Sequence, residues 1–200
     1  MQTIDIAVLG APAVGKSAII QQYMHCTFPN QHSPTKSPST HNPVVLANTR
    51  LYQLNIIDTP PLQYFQMKSF YDWVDFHSYS DKVKDASAFI LIFDVSNSDS
   101  FQYVKDLREQ IIDYRGGGMS DVTTVIAGNK CDLGKCNGLS RRDVSHVIRK
   151  NWKSGYVECS AKYNWHIVSL FNEVMKLIDA NWDKPPTVGK MRGRNSCLIM

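Results

Sequence analysis

The sequence predicts an α/β fold: a three-layer, mostly parallel sheet with helices on both faces. Three observations predict it. Apolar strand-like runs alternate with stretches of helical periodicity along nearly the whole chain. One run, Ala88-Phe89-Ile90-Leu91-Ile92-Phe93, is apolar without a break, as a strand buried on both sides requires. One loop, Gly10-Ala11-Pro12-Ala13-Val14-Gly15-Lys16-Ser17, reads G-x-x-x-x-G-K-S and lies between a strand and a helix.

The elements follow in order. Ile4 to Leu9 alternates as a buried strand and runs into the Gly-containing loop. Ala18 to Met24 reads as a helix. Phe28 to Pro43, rich in Pro, Ser, His and Asn, reads as a long exposed loop. Val44–Leu46 and Leu51–Ile57 read as two strands of a hairpin turning at 47–50. Asp58-Thr59-Pro60-Pro61 ends the second. Leu62 to Lys84 is mixed; Phe70, Trp73 and Val74 share helical spacing, and its aromatics read as packing. After the Ala88–Phe93 strand, Ser98 or Asp99 is placed to cap a helix whose apolar face is Phe101, Val104, Leu107 and Ile111, stopped at Gly116-Gly117-Gly118. Val122–Ala127 is another buried strand. Ser140 caps a helix with Val144, Val147 and Ile148 inward. Tyr156–Cys159 is a short strand, and Asn164 is placed to cap a last helix with Ile167, Leu170, Phe171, Val174, Leu177 and Ile178 inward. In such sheets ligands sit beyond the carboxyl ends of the strands.

Composition narrows the function classes. Two hundred residues suit one domain with a real core. The net charge of +4 is mild and partly confined to the last residues. No basic field or aromatic interleaving favours nucleic acid, so none is expected as a partner. The start, Met1-Gln2-Thr3-Ile4-Asp5, lacks a basic leader region, and no apolar run is long enough for a bilayer. The cysteines (Cys26, Cys131, Cys136, Cys159, Cys197) are scattered, so reduced thiols in the cytosol are expected. Cys131 and Cys136 lack a second pair at metal-ligand spacing, and no zinc site is expected.

The motifs carry the chemistry. Backbone N–H groups from Ala13 to Ser17 can converge on phosphate oxygens at a helix N-terminus. Lys16 supplies a charge for the β- and γ-phosphates, and the Ser17 hydroxyl can ligate Mg²⁺. Asn129-Lys130-Cys131-Asp132 reads N-K-x-D. The Asp132 carboxylate can accept from N1–H and the amino group of guanine; adenine would leave it unpaired. The Lys130 stem can lie along the base, and Asn129 can tie this loop to the phosphate loop. Ser160-Ala161-Lys162 reads S-A-K, whose Ala161 N–H can reach the guanine O6. Asp58 can hold a magnesium-bound water, and Thr35 can be the second hydroxyl on Mg²⁺. Each motif follows a predicted strand or its loop, in one consistent order.

On these residues the chain resembles the Ras family of small GTPases, from Ile4 to about Trp182 and again at the final four residues. With 156–167 reading YVECSAKYNWHI, it looks most like the atypical Ras-like family ten branch. The resemblance implies a P-loop G domain over 1–182, with six strands (one an antiparallel edge strand) and five helices, and a flexible basic tail over 183–200. It implies GTP or GDP as ligand, Mg²⁺ as cofactor, effector proteins as partners, and a monomer. The implied nucleotide-binding set is Gly10, Ala11, Pro12, Ala13, Val14, Gly15, Lys16, Ser17, Ala18, Phe28 against the base edge, Asp58, Asn129, Lys130, Asp132, Ser160, Ala161 and Lys162. The implied metal set is Ser17, Thr35 and, through water, Asp58. Lys16 is the implied catalytic residue.

The departures bear on turnover. The family's D-T-A-G-Q is here Asp58-Thr59-Pro60-Pro61-Leu62. Pro61 has no N–H for the γ-phosphate. Leu62 stands where a Gln would orient the attacking water, and Gln63 lies one residue too far along. Pro12 and Ala13 replace two glycines, His32 replaces the usual tyrosine, and 35–40 lacks the usual acidic residues. Poor intrinsic hydrolysis is therefore expected, with an interaction module of no useful turnover as the alternative. An ATP-using enzyme is a third reading, opposed by Asp132 and Ala161.

Cys197-Leu198-Ile199-Met200 is a C-a-a-X box of the farnesyl kind. Lys184, Lys190, Arg192 and Arg194 would supply the second membrane signal that one lipid chain needs. The expected location is the cytoplasmic face of the plasma membrane, with a cytosolic pool.

Overall fold

The computed structural model describes residues 1–31, 33–47, 49–60, 82–115, 122–134 and 140–182. Several of the positions discussed above lie outside them. These are His32, Pro61, Leu62, Gln63, the aromatic segment up to residue 81, Gly116–Gly118, Cys136 and the whole tail with Lys184, Lys190, Arg192, Arg194 and Cys197.

In order, the strands and helices are β1 (Gln2–Gly10), α1 (Lys16–His25), β2 (Ser39–His41), β3 (Val44–Ala47), β4 (Arg50–Asp58), β5 (Ala88–Asp94) and α2 (Ser98–Arg115). They continue with β6 (Thr123–Asn129), α3 (Arg141–His146), β7 (Gly155–Glu158) and α4 (Ile167–Trp182). A 3₁₀ turn, Cys131–Leu133, follows β6, and α3 widens into a π-helical turn, Val147–Asn151. The remaining helix expected falls in 62–84, of which the helical residues 82–84 are described.

The sheet order is β2-β4-β1-β5-β6-β7, with β3 also on β4. β1, β4, β5, β6 and β7 run parallel; β2 and β3 pair antiparallel with β4. β2 and β3 are two pieces of one edge strand, so the sheet keeps six positions. The break falls at Asn42-Pro43, and Pro43 contributes its carbonyl to the Leu54 N–H, 2.9 Å away. Proline suits an edge because it has no N–H to lose from a ladder. The long loop after Phe28 is therefore shorter than its composition suggested: Ser39–His41 is strand.

β5 and β6 are buried at every residue, which explains the unbroken apolar run. α1 and α4 meet through Tyr23 stacked on Phe171 at 3.7 Å. α2 and the π turn meet through Phe101 against Trp152 at 5.8 Å. The parallel strands thus deliver their carboxyl ends, Gly10, Asp58, Asp94, Asn129 and Glu158, to one edge of the sheet.

Two helix starts differ from the sequence reading. α2 is capped by Asn97, whose Oδ1 accepts from the N–H groups of Asp99 (2.9 Å) and Ser100 (3.4 Å). Ser98 and Asp99 are already inside the helix. Asn164 does not cap α4: it sits at φ 57° in a turn closed by mutual Ser160–Trp165 backbone bonds, and the helix begins at Ile167. An Asn tolerates the left-handed region, so its presence marks a turn as readily as a cap. Ser140 does cap α3, accepting from the Asp143 N–H.

Candidate functional site

Two glycines in the β1–α1 loop are required by close approach. A Cβ on Gly10 would lie 2.2 Å from the Ile92 carbonyl oxygen of β5. A Cβ on Gly15, at φ +98°, would lie 2.4 Å from Asn129 Nδ2. Ala13 also holds a left-handed backbone, φ 58°, which costs an alanine about 1–2 kcal/mol. No side chain caps α1 and no acid occupies its first turn, so its N-terminal N–H groups face the loop with their positive potential uncompensated.

Lys16 lies inside this loop, 5 % exposed. Its Nζ donates to the carbonyls of Gly10 (2.9 Å) and Ala11 (3.1 Å). Burial pushes the ammonium down to about 8, with the Asp58 carboxylate pulling weakly the other way. Asp58 is itself buried; desolvation pushes its carboxyl up, opposed by the Ser17 hydroxyl, Lys16 and His41. Its Oδ1 is buried without a hydrogen-bond partner among the described residues. The Ser17 and Thr35 hydroxyl oxygens lie 2.7 Å apart, although eighteen residues separate them in sequence. Two hydroxyls and an orphaned carboxylate oxygen form an all-oxygen donor set of the kind Mg²⁺ takes, so the residues present fit that ion. Thr59 secures the end of β4, its hydroxyl donating to the Val8 carbonyl at 2.9 Å.

The second half of the site is built at the ends of β5, β6 and β7. Asn129, 1 % exposed, donates from Nδ2 to the Val14 carbonyl (2.8 Å) and accepts at Oδ1 from the Ala161 N–H (3.1 Å). One side chain thereby joins three loops. The Ala161 N–H that sequence reasoning assigned to a base carbonyl is engaged by Asn129 here. Asp132 accepts from the Ser160 hydroxyl at 2.6 Å through Oδ1, which leaves Oδ2 for another donor. Lys130 has a left-handed backbone (φ 62°), and its Nζ lies 2.7 Å from Asp94 Oδ2. Asp94 Oδ1 accepts from the Ser96 N–H (2.9 Å) and hydroxyl (2.6 Å). Burial would push the Asp94 carboxyl up, but these donors and Lys130 hold it below its usual range.

Lys16, Ser17, Thr35, Asn129, Lys130, Asp132 and Ala161 line two adjoining cavities. One, about 400 Å³, is lined by Phe28, Asn129, Lys130, Asp132, Ala161 and Lys162 among others. The second, about 290 Å³, is lined by Pro12, Lys16, Ser17, Gln21, Pro34 and Thr35 among others. Ala13, Gly15, Ala18 and Pro29 line both. The first has an apolar wall and one available carboxylate oxygen, which suits a planar base bearing N–H donors. The second has an ammonium, a helix N-terminus and hydroxyls, which suits phosphates. The motifs separated in sequence are therefore brought to one trough. Sequence reasoning missed Asp94, Pro29 and Asn30. Asp94 ends β5 in register with Asn129, so the rule that sites lie at strand ends was the available signal.

The Ras family model matches residues 5–180. The chain belongs to the Ras family. It is 40 % identical to human Ras-like protein family member 10B over 205 residues, covering all of both chains. It is 39 % identical to mouse and 38 % identical to human Ras-like protein family member 10A, over 87 % of this chain and 85 % of each relative. Those relatives support the family ten branch of this Ras-like, GTP-binding signalling class. Members of the family bind guanine nucleotide, typically with Mg²⁺.

Proposed function

We propose that this Ras-family chain is a membrane-anchored guanine-nucleotide switch whose intrinsic hydrolysis is impaired. The observation that carries nucleotide binding is the single trough in which the cavity of Lys16, Ser17 and Thr35 adjoins the cavity of Asn129, Lys130 and Asp132. In this reading Phe28 and the Lys130 stem flank the base, and Asp132 Oδ2 accepts from its N–H groups. The α1 N-terminus and Lys16 hold the β- and γ-phosphates, Lys16 leaving the Gly10 and Ala11 carbonyls to do so. Ser17, Thr35 and, through water, Asp58 would hold Mg²⁺, which neutralises charge on the phosphates. The 1–182 segment acts as the G domain, and 183–200 as the lipidated basic tail.

The hydrolysis claim rests on sequence chemistry. Pro61 has no N–H to give the γ-phosphate, and Leu62 has no group to orient water. Losing such groups costs on the order of a thousandfold in the chemical step. Nucleotide extracted from freshly purified protein should include GTP, and single-turnover hydrolysis should rise when Leu62 is replaced by Gln. Recovery of GDP alone, with turnover at the ordinary small-GTPase rate, overturns the impairment.

The second reading, an interaction module with no useful turnover, is favoured by Pro61, whose missing donor also weakens coupling of the γ-phosphate to the loop after β4. Bound GTP surviving for days at 25 °C in both parent and Leu62→Gln selects that reading. Anchoring is tested by Cys197→Ser, which should move the protein out of the membrane fraction.

A further inference from the structure

Gln22 is 5 % exposed near the end of α1, on a helix that also buries Ile19 and Ile20. A buried amide is costly unless its polar atoms find partners. Its Nε2 donates to the carbonyls of Thr27 (2.9 Å) and Ala161 (3.2 Å), and its Oε1 accepts from Asn164 Nδ2 (3.2 Å). Those neighbours dictate the orientation of the amide, since the reverse would set its oxygen against two carbonyls. The end of α1 brings Thr27 within reach. Cys26 closes the helix in a left-handed conformation, φ 53°, its N–H donating to the Gln22 carbonyl at 3.0 Å. The chain therefore turns back on the helix, and Thr27 returns beside Gln22.

Both segments that Gln22 holds belong to the base cavity. Thr27 directly precedes Phe28, which lines that cavity, and Ala161 lines it too. Ala161 is gripped through both of its backbone polar groups: its N–H donates to Asn129 Oδ1 at 3.1 Å, and its carbonyl accepts from Gln22. The neighbouring Ser160 hydroxyl holds Asp132 at 2.6 Å. Asn164 lies in the left-handed turn closed by the Ser160–Trp165 backbone bonds, so Gln22 also fixes the far end of the same loop. An apolar side chain of equal size would fill this space, but it would not join α1, the Phe28 segment and the S-A-K loop.

We propose that Gln22 is a positioning residue of the guanine site, which fixes the Phe28 segment and the 160–164 loop against each other and so sets both the rate of nucleotide release and the preference for guanine. The inference rests on the nucleotide-binding reading above and deepens it. Gln22 lines neither cavity and acts through Phe28, Ser160 and Asp132. With its bonds removed, the Phe28 wall and the Asp132 carboxylate move independently, and the base loses the enclosure that slows its escape. Lys16 and Ser17 stand at the opposite end of α1, so the grip on the phosphates is spared.

The test uses the full chain loaded with a fluorescent GDP analogue and Mg²⁺, with release followed after addition of excess unlabelled GDP. Gln22→Met, which nearly keeps the volume and removes all three bonds, should release the analogue about tenfold faster. Its preference for GDP over IDP, whose base lacks the exocyclic amino group, should fall severalfold because Asp132 is less firmly placed. Asn164→Gly keeps the left-handed turn and removes only the bond to Oε1. It should release the analogue about threefold faster with a smaller fall in preference, and it carries the test if Gln22→Met does not fold. Adding it to Gln22→Met should change nothing further, as partners in one bond require. Asn97→Ala, which loosens the start of α2 instead, should match the parent in release and preference. Release by Gln22→Met and Asn164→Gly within about twofold of the parent overturns the proposal. Faster release with the preference for GDP intact, or equal acceleration by Asn97→Ala, marks a merely structural residue and overturns it too. A parent that holds no GDP overturns the nucleotide-binding reading and this inference with it, whereas a parent that holds GDP beside insensitive variants overturns the positioning role alone.

Discussion

Lys16 is a cation held among carbonyls, and that has a measurable consequence. Its folded value, about 8, lies below its unfolded value of 10.5. The unfolded chain therefore binds more protons between those values, and the stability of nucleotide-free protein rises with pH across that window. A phosphate against the ammonium restores the charged form. GDP binding at pH 8.5 should thus take up roughly three-quarters of a proton, read as the dependence of calorimetric enthalpy on buffer ionisation heat. Lys16→Met should bind more weakly and take up none; equal uptake by that variant refutes the assignment. Asp94 makes a second case at this scale. Its bond to Lys130 is charge-assisted, but Lys130 is 34 % exposed, so the worth of the pair is discounted. Asp94→Asn should free the lysine stem from its place beside the base and speed GDP release about tenfold, equivalent to ~1.4 kcal/mol. A release rate within twofold of the parent removes Asp94 from the site. Asp94 is also where reading the sequence fell short: a strand-end carboxylate names no partner until the register sets β5 beside β6.

The elements differ in how openly their sequences announce them. β5, β6 and the inward stripe of α4 were legible because a fully buried strand and a one-faced helix leave distinct periodicities. Helix starts were less legible, since Asn97, Ser98 and Asp99 are all good caps and only the backbone decides which one stands outside the first turn. Asn97 holds two N–H groups of α2. Asn97→Ala should therefore lower stability by about 1 kcal/mol in urea denaturation, with an unchanged slope. Ser98→Ala should cost less than about 0.5 kcal/mol. The reverse ranking would restore the capping role to Ser98. The split edge strand and the π turn were not legible, because both answer to what lies alongside them: β4 in one case, Phe101 and Arg108 in the other.

At the scale of the whole molecule the trough couples folding to ligand. Asn129 ties the β1–α1, β6 and β7 loops together, and Ser17 meets Thr35 across the loop after α1. A ligand that fills the trough stabilises every one of those contacts at once. GDP at a thousandfold excess over its dissociation constant should add about 4 kcal/mol, or roughly 8–16 °C in melting temperature for a chain of this size. ADP at the same concentration should add almost nothing, because adenine offers Asp132 no N–H donor in the right place. Equal shifts from the two nucleotides would refute the guanine assignment. The sequence by itself determined the α/β class, the family, and the residue types able to grip phosphate and read a purine edge. Those follow from local patterns: period, glycine placement and a few invariant chemistries. Only the tertiary structure decided that Asp94 holds Lys130, that Asn129 holds the Ala161 N–H, and that α3 widens into a π turn. Each of these depends on distances set by packing between segments remote in sequence, or on a turn width set by a neighbour, and no local pattern encodes either.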